Sequence, residues 1–501
     1  MKSPGINSAQ NDRSSPRTLL LLARWIVLGT VGISLCGCAL HRPPPHPEIL
    51  DQALPKATPL PPVWSSAPNP TGNNDVAGDW VKSLNDKSLE TVVSEAIANN
   101  LDLRQSAARV EAARQSVIVV GSKLKPQVSA TFSGASTRSE DRDVTNQSQS
   151  NMELGTVSWE VDVWGRLRAQ HAAARESYEA VALDYAYARQ SIAATTAKSW
   201  YQAIETRQLL VLTEQSVDIY RKLLELVKIR RAAGKVADLD VAEASYQLNE
   251  AQNQLVISQG LYSEARRTLE VLVGRYPSAE LEVAEAFAPL PSPVAPGLPS
   301  SLLERRPDIA AAEHQVLAAF RTQQAAKLAL LPNFSLSLEG GRLGDQLLSV
   351  LGLNPALLHT AVGMVVPIYQ GGALLAEVRI ATAQQERSVA YFGSVALRAL
   401  KEVEVALTNE QLLAERLPHT QNAVSDHTEA VRVADLRYTA GSMDLLSVLQ
   451  LQEGQIQSQA ALIELRNAQL ANRINLHLAL GGSFDSSPAT TSPAAAAAKN
   501  P

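Results

Sequence analysis

The feature that most constrains this chain is that it is written twice. Asp102 and Asp308, Pro126 and Pro332, and Gly134 and Gly340 each stand 206 residues apart. "VDVW" from Val161 answers "VPIY" from Val366 at an offset of 205. "RRAAGKVADLDV", ending at Val241, answers "RYTAGSMDLLSV", ending at Val448, at 207, and Gly274 of "LVG" answers Gly481 of "ALG" at the same 207. Offsets this steady mean one structural unit used twice, so the fold must be one that two near-equivalent copies can build.

Each copy reads helix, strand, loop, strand, long helix, turn, long helix. The first helix starts at Asn100 or Arg306 as cap. Pro307 then takes N1, where a missing N–H costs nothing, and Asp308 faces the positive helix end. "PNFSLSLEGG" alternates Phe334, Leu336 and Leu338 against Ser335, Ser337 and Glu339, a period of two. "PQVSATFSG" does the same with Val128, Ala130 and Phe132; the expected partners are "MELGTVSWEV" and "TAVGMVVPI". Strands of about ten residues with one apolar and one small or polar face suit a transmembrane β-barrel. On the strands alone, a soluble hairpin packed on helices stays open.

The helices decide. From Arg166 to Gly234 there is no proline and no intervening glycine, a run of roughly 100 Å at about 1.5 Å per residue. Tyr178, Val181, Tyr185, Ala188 and Ile192 keep helical spacing, and Val217, Tyr220, Leu224 and Val227 resume it after a stutter. The return helix holds heptads: Val241, Ala244, Leu248, Ala251, Leu255, Ser258, Tyr262, Ala265, Leu269, Leu272. The second copy keeps the register with Gln455, Gln469 and Asn472 in the seam, and Pro418 is expected to kink its outgoing helix. An aromatic share of 5% agrees with long bundled helices rather than one large core. Four membrane strands cannot close, because an open edge in lipid leaves backbone groups without partners. Three copies would supply twelve strands, and the repeat then gives six near-equivalent units around a tube.

The N-terminus carries Arg13, Arg17 and Arg24, then the apolar run "WIVLGTVGISL", the length of a secretory signal core and too short to cross a bilayer. It ends in "LCGC", where Leu35, Gly37 and Cys38 resemble a bacterial lipobox with Cys38 as the lipidated first residue of the mature chain. A plain signal peptide that happens to end in cysteine is the other reading. Ala39 in place of Asp resembles the outer-membrane sorting default. Prolines crowd from Pro43 to Pro70, an extended tether, and again from Pro289 to Pro299 between the copies.

"GLPSSLLERRPDIAAAEH", "SWEVDVWGRLRAQ" and "RYTAGSMDLLSVLQ" together resemble signatures of the outer membrane factors, TolC-like exit ducts of tripartite export systems. They are most similar to the NodT-type lipoprotein branch serving resistance-nodulation-division pumps. The resemblance covers roughly Trp80 to Gly481 and the lipobox. It implies a mostly α fold with a transmembrane β-barrel: a trimeric 12-stranded barrel continuous with a long periplasmic α-helical barrel. It also implies a homotrimer in outer-membrane lipid that works with a periplasmic adaptor protein and an inner-membrane efflux pump. The expected division is a lipoprotein signal peptide over 1–37, a lipid-anchored Pro-rich tether over 38–79 and a first efflux repeat over 80–275. A Pro-rich linker over 276–300, a second repeat over 301–482 and a disordered tail over 483–501 complete it.

In that family the long-helix turns form the periplasmic tip, closed at rest. The resemblance places the tip turns at Gly234 and Gly441 and offers Asp240, Tyr438 and Asp444 as candidate gate residues. Met443, Ser447 and Gln450 depart from the residues that members carry there, so the best-described salt-bridged gate is not reproduced. Seam packing for Tyr438 and helix-start charge for Asp240 and Asp444 are the competing readings.

Nothing in the chain points to an enzyme. The eight histidines show no HExxH or other close metal spacing, and there is no GxSxG, phosphate loop or GxGxxG. No metal or other cofactor is implied. A net charge of −5 without a basic aromatic patch argues against nucleic acid. The expected function is passive conduction of small molecules such as drugs to the outside. The alternatives are a duct for type I protein secretion, or a coiled-coil envelope scaffold with no pore.

Overall fold

The structure is a computed structural model, and it describes residues 42–54, 60–67, 79–136, 148–340, 342–343 and 358–482. Cys38, most of both strand-joining loops and the tail after Gly482 lie outside the described residues. In chain order the elements are α1 (His46–Ala53), α2 (Trp80–Ser83), α3 (Lys87–Asn99), α4 (Leu101–Ser122), β1 (Gln127–Ser136), β2 (Ser148–Val161), α5 (Arg166–Ala232) and α6 (Asp238–Leu272). The second half continues with α7 (Pro299–Arg305), α8 (Pro307–Leu328), β3 (Asn333–Gly340), β4 (Arg342–Leu343), β5 (Leu358–Val365), α9 (Ala373–Thr439) and α10 (Leu445–Ala479). The repeat holds to the residue in its helices. α4 and α8 both have 22 residues, α5 and α9 both 67, and α6 and α10 both 35. Among the described residues no helix is long and apolar enough to cross a membrane.

The chain divides into two compact units, each drawing on both copies. Of the described residues, one comprises 42–45, 114–136, 148–177, 315–340, 342–343 and 358–388 and carries an antiparallel sheet in the order β1-β2-β3-β5, with β4 on β2. The hairpin pairs expected within each copy form, and β2 against β3 joins the copies. Register separates the faces. Val128 opposes Val157, which opposes Leu338; Trp159 opposes Leu336, which opposes Val362; and Phe334 opposes both Val161 and Met364. One step along, Gln127, Ser158 and Ser337 form a row ending in Ala361, and Glu160, Ser335 and Gly363 form another. Much of the apolar face is exposed, with Val128 at 76% and Val362 at 82% exposure. An exposed apolar sheet face backed by a small, polar one inverts the soluble pattern and matches a wall between lipid and an aqueous bore.

The "VDVWGRLR" stretch carries β2 into α5. Asp162 accepts bonds from the Leu167 and Arg168 amides at 3.0 and 2.9 Å, supplying partners that the free helix end lacks. Gly165 takes φ +88°, and the Trp164 indole N–H donates to the Pro332 carbonyl at 2.8 Å.

Of the described residues, the other unit comprises 46–54, 60–67, 79–113, 178–314 and 389–482. Its core packs Trp80, Leu84, Leu89 and Val93 against Trp200, Tyr201, Ile204, Leu269 and Ile474. Large side chains so buried contribute about 1.5–3 kcal/mol each. Asn100 caps α4 as expected, accepting from the Asp102 and Leu103 amides at 2.9 and 3.1 Å. The heptad residues Ala244, Ala251, Ser258 and Leu269 are buried on α6. In the second seam Asn472 donates to the Ala406 carbonyl at 2.9 Å, so its amide is both buried and bonded. α9 is helical without a break across Pro418.

Part of the proline-rich N-terminal stretch is more than a spacer. Within it His46–Ala53 folds into α1, with Pro47 in the first turn, and Ile49 and Trp64 are buried. Glu404 on α9 accepts the Ser65 and Ser66 amides at 2.8 and 3.0 Å; burial pushes its carboxyl up, but these bonds outweigh it and hold the carboxyl below its usual range. At Gly393 an added Cβ would stand 2.5 Å from the Ala53 carbonyl oxygen. Gly393→Ala is therefore expected to lift α1 off α9. Limited proteolysis should then cut near residues 46–54 several-fold faster, with helix content by circular dichroism unchanged; an unchanged cleavage rate would show that α1 is not seated through this contact.

Candidate gate at the helical turns

The two turns that join the long helices are built alike. Gly234 follows α5 with φ +69° and Gly441 follows α9 with φ +79°, the left-handed conformation that glycine adopts without penalty. In the first turn the Gly234 amide donates to the Arg231 carbonyl at 3.0 Å and Lys235 to Arg230 at 2.9 Å. In the second, Gly441 donates to Tyr438 and Ser442 to Arg437, both at 2.9 Å. This paired closure is the Schellman motif, and it recurs after α6 at Gly274 and after α10 at Gly481.

Each candidate gate residue has a definite local task. Asp444 is the N-cap of α10, accepting the Ser447 amide at 2.8 Å and the Ser447 hydroxyl at 2.7 Å, bonds that hold its carboxyl below the usual range. Asp240 accepts the Ala237 amide at 2.8 Å at the start of α6. Asp238 beside it pairs with Arg231 on the exposed surface. Tyr438 is 3% exposed and packs with Val217, Tyr220, Val227, Leu445 and Val448, side chains from both copies. Burial raises the pKa of its hydroxyl; Arg230 opposes that shift and Asp240 adds to it. Among the described residues the buried Tyr438 hydroxyl has no hydrogen-bond partner. Asp444 is engaged with its own helix end.

Sequence reasoning missed Arg230. Its guanidinium lies 4.4 Å from the centroid of the Tyr438 ring, and Nη1 donates to the Tyr438 carbonyl. The available signal was position: Arg230 is a cation in the last turn of a long helix, and Arg437 is its mate 207 residues on.

The "ERRPDI" signature lies at a buried charge knot. Arg306 is 1% exposed and donates to Asp308 at 3.0 and 2.8 Å, to Glu402 at 2.7 Å and to the Ala479 carbonyl at 3.1 Å. Burial works against its charge, but the bonds to Asp308 and Glu402 outweigh burial and raise its pKa. A second buried arginine, Arg473, pairs with Glu410 and donates to the Pro291 carbonyl at 2.6 Å, and also to that of Ser292, so it grips the linker.

The family model for outer membrane efflux proteins matches residues 92–275 and 298–482. The chain belongs to that family. It is 32% identical over 419 residues, 81% of this chain and 88% of the relative, to the pyoverdine export outer membrane protein OpmQ of Pseudomonas aeruginosa. It is 30% identical over 474 residues, 91% of this chain and 95% of the relative, to the toluene efflux pump outer membrane protein TtgC of Pseudomonas putida. Among solved structures, the outer-membrane channel OprN superposes with a TM-score of 0.78 at 23% identity, covering 89% of this chain and all of that one. The protein therefore has the outer-membrane efflux channel fold and is a channel of the outer membrane, not an enzyme. Efflux channel function accounts for the sheet: one face for lipid, the other for a bore.

Proposed function

We propose that three copies of this chain close a twelve-stranded barrel that forms the outer-membrane exit of a tripartite pump. An inner-membrane transporter supplies the substrate and a periplasmic adaptor opens the helical turns. Small molecules then pass down the bore by diffusion, with no nucleotide bound to the duct. Acyl chains on Cys38 anchor the N-terminus in the membrane, and Gly234, Gly441, Asp240, Tyr438 and Asp444 lie in the gate region. The relatives are named for pyoverdine, toluene and other exported compounds, which supports small-molecule cargo rather than secreted protein.

One observation carries the reading. Among the described residues the sheet ends on both sides in strands, β1 and β5, that have one paired edge each, while much of its apolar face is exposed. Backbone edges in lipid cost several kcal/mol per missing bond, so further copies must pair them. Light scattering of the detergent-solubilised protein, corrected for bound detergent, should return three times the 53.8 kDa chain mass, less the signal peptide. A stable monomer would remove the wall and with it the duct.

A further inference from the structure

We propose that the polar face of the sheet carries a site for small organic anions at the foot of the first copy, where Lys123 and Lys125 take the carboxylate or other acidic group of a molecule in transit. The proposal rests on the duct reading and adds to it a preference for the charge of the cargo. A pocket of about 650 Å³ opens where α4 gives way to β1 and β2 runs into α5. Ser158, Ser335 and Ser337 of the small, polar face line it, and Lys123, Lys125 and Arg166 surround them with positive charge. All of these residues belong to the sheet-bearing unit.

The charge there is unbalanced. Glu160 also lines the pocket, but it is paired with Arg166 at 2.5 Å, and Asp162 is paired with Arg168 at 3.1 Å. Lys123 and Lys125 are exposed, and neither has a carboxylate partner among the described residues. Arg166 Nε is buried without a hydrogen-bond partner among those residues, so the third cation keeps a donor unused. α5 begins at Arg166 with no acid in its first turn, and its positive end adds to the same potential. The second copy does not repeat the site. At the offsets of the repeat, Lys123 and Lys125 are answered by Ala329 and Leu331, and Glu160 and Arg166 by Val365 and Gly371. The second hairpin forms without any of these charges, so holding a hairpin is not what they are for.

The test places a reporter thiol in the pocket of the full-length protein with Ser337→Cys. Its labelling by an anionic methanethiosulfonate, the sulfonatoethyl reagent, is compared with labelling by the cationic trimethylammonioethyl reagent. Each rate is corrected for background in the parent chain and divided by the rate with a neutral free thiol. Two cations acting over about 10 Å change the anion-to-cation ratio by about fivefold to tenfold at low salt, where the screening length is about 30 Å. Lys123→Gln with Lys125→Gln should lower the ratio by that factor, and molar salt should do the same. Lys123→Arg with Lys125→Arg should keep it. Millimolar citrate at matched ionic strength should slow sulfonate labelling several-fold while both lysines are present, and not once both are replaced by glutamine. A ratio that the glutamine variants leave unchanged overturns the site. So does a lowered ratio without citrate protection, which would leave a diffuse field and no binding. If neither reagent labels the Ser337→Cys variant in assembled protein, the polar face lines no aqueous bore, and the duct reading falls together with the site.

Discussion

Arg306→Ala should lower the stability of the helical unit by about 3 kcal/mol or more, the cost of breaking a buried ion pair from one side. Arg306 is almost fully buried and its shortest bonds go to four acceptor atoms: both Asp308 oxygens, Glu402 and the Ala479 carbonyl. These acceptors belong to the start of α8, the middle of α9 and the last residue of α10, so one guanidinium ties three helices. Alanine strands Asp308, whose side chain is 18% exposed, beside a cavity. Glu402 is 41% exposed and regains water, which keeps the loss towards the lower end of the range. Arg306→Met separates the contributions, since it refills the volume but leaves the carboxylates unpaired. Chemical denaturation of the detergent-solubilised protein measures both variants; a midpoint shift with an unchanged slope reads as stability. A loss below about 1 kcal/mol in the alanine variant would show that the knot is incidental.

Leu336→Arg should prevent membrane assembly while Ser337→Arg, one residue along the same strand, should permit it. A cation on the lipid face of a barrel costs about 2–4 kcal/mol near the bilayer midplane, and a trimer incurs it three times. Leu336 lies between Trp159 and Val362 on the apolar face, whereas Ser337 lies between Ser158 and Ala361 on the small, polar one. Outer-membrane fractionation with quantification of the assembled oligomer distinguishes the two. Equal assembly of both variants would contradict the two-faced wall, and failure of Ser337→Arg alone would reverse which face meets lipid.

How much was legible in the sequence follows from what kind of pattern each feature leaves. The paired helix lengths, the hairpins and the helix caps are local and periodic, so spacing announced them: Asn100, Pro307 and Gly234 each act within a few residues of themselves. Arg230, Arg306 and Arg473 act across the fold. Arg230 and Arg473 look in sequence like ordinary solvated cations on a helix and Arg306 like a helix cap, and only the partner, 208 residues away for Arg230 and 63 for the Glu410 mate of Arg473, shows the difference. Asp240 and Asp444 show the reverse case. Their helix-start role was written locally and is what the structure displays, while any part in gating depends on neighbours that spacing cannot name. Trp64 was hidden for another reason: it stands among prolines that read as a spacer, yet its indole donates to the Gly297 carbonyl at 3.0 Å.

The matched helix lengths, 67 with 67 and 35 with 35, make the reach of this protein a stepped quantity. One residue added to α5 would turn everything beyond it by about 100° and swing Tyr220 and Val227 out of their seam. Seven residues restore the face, adding about 10 Å, but only if α6 receives seven as well so that the turn at Gly234 still closes. The second copy must then follow, or Arg230 and Tyr438 would end at different heights. A channel of this design can be lengthened to bridge a wider gap only in whole heptads, in four helices together.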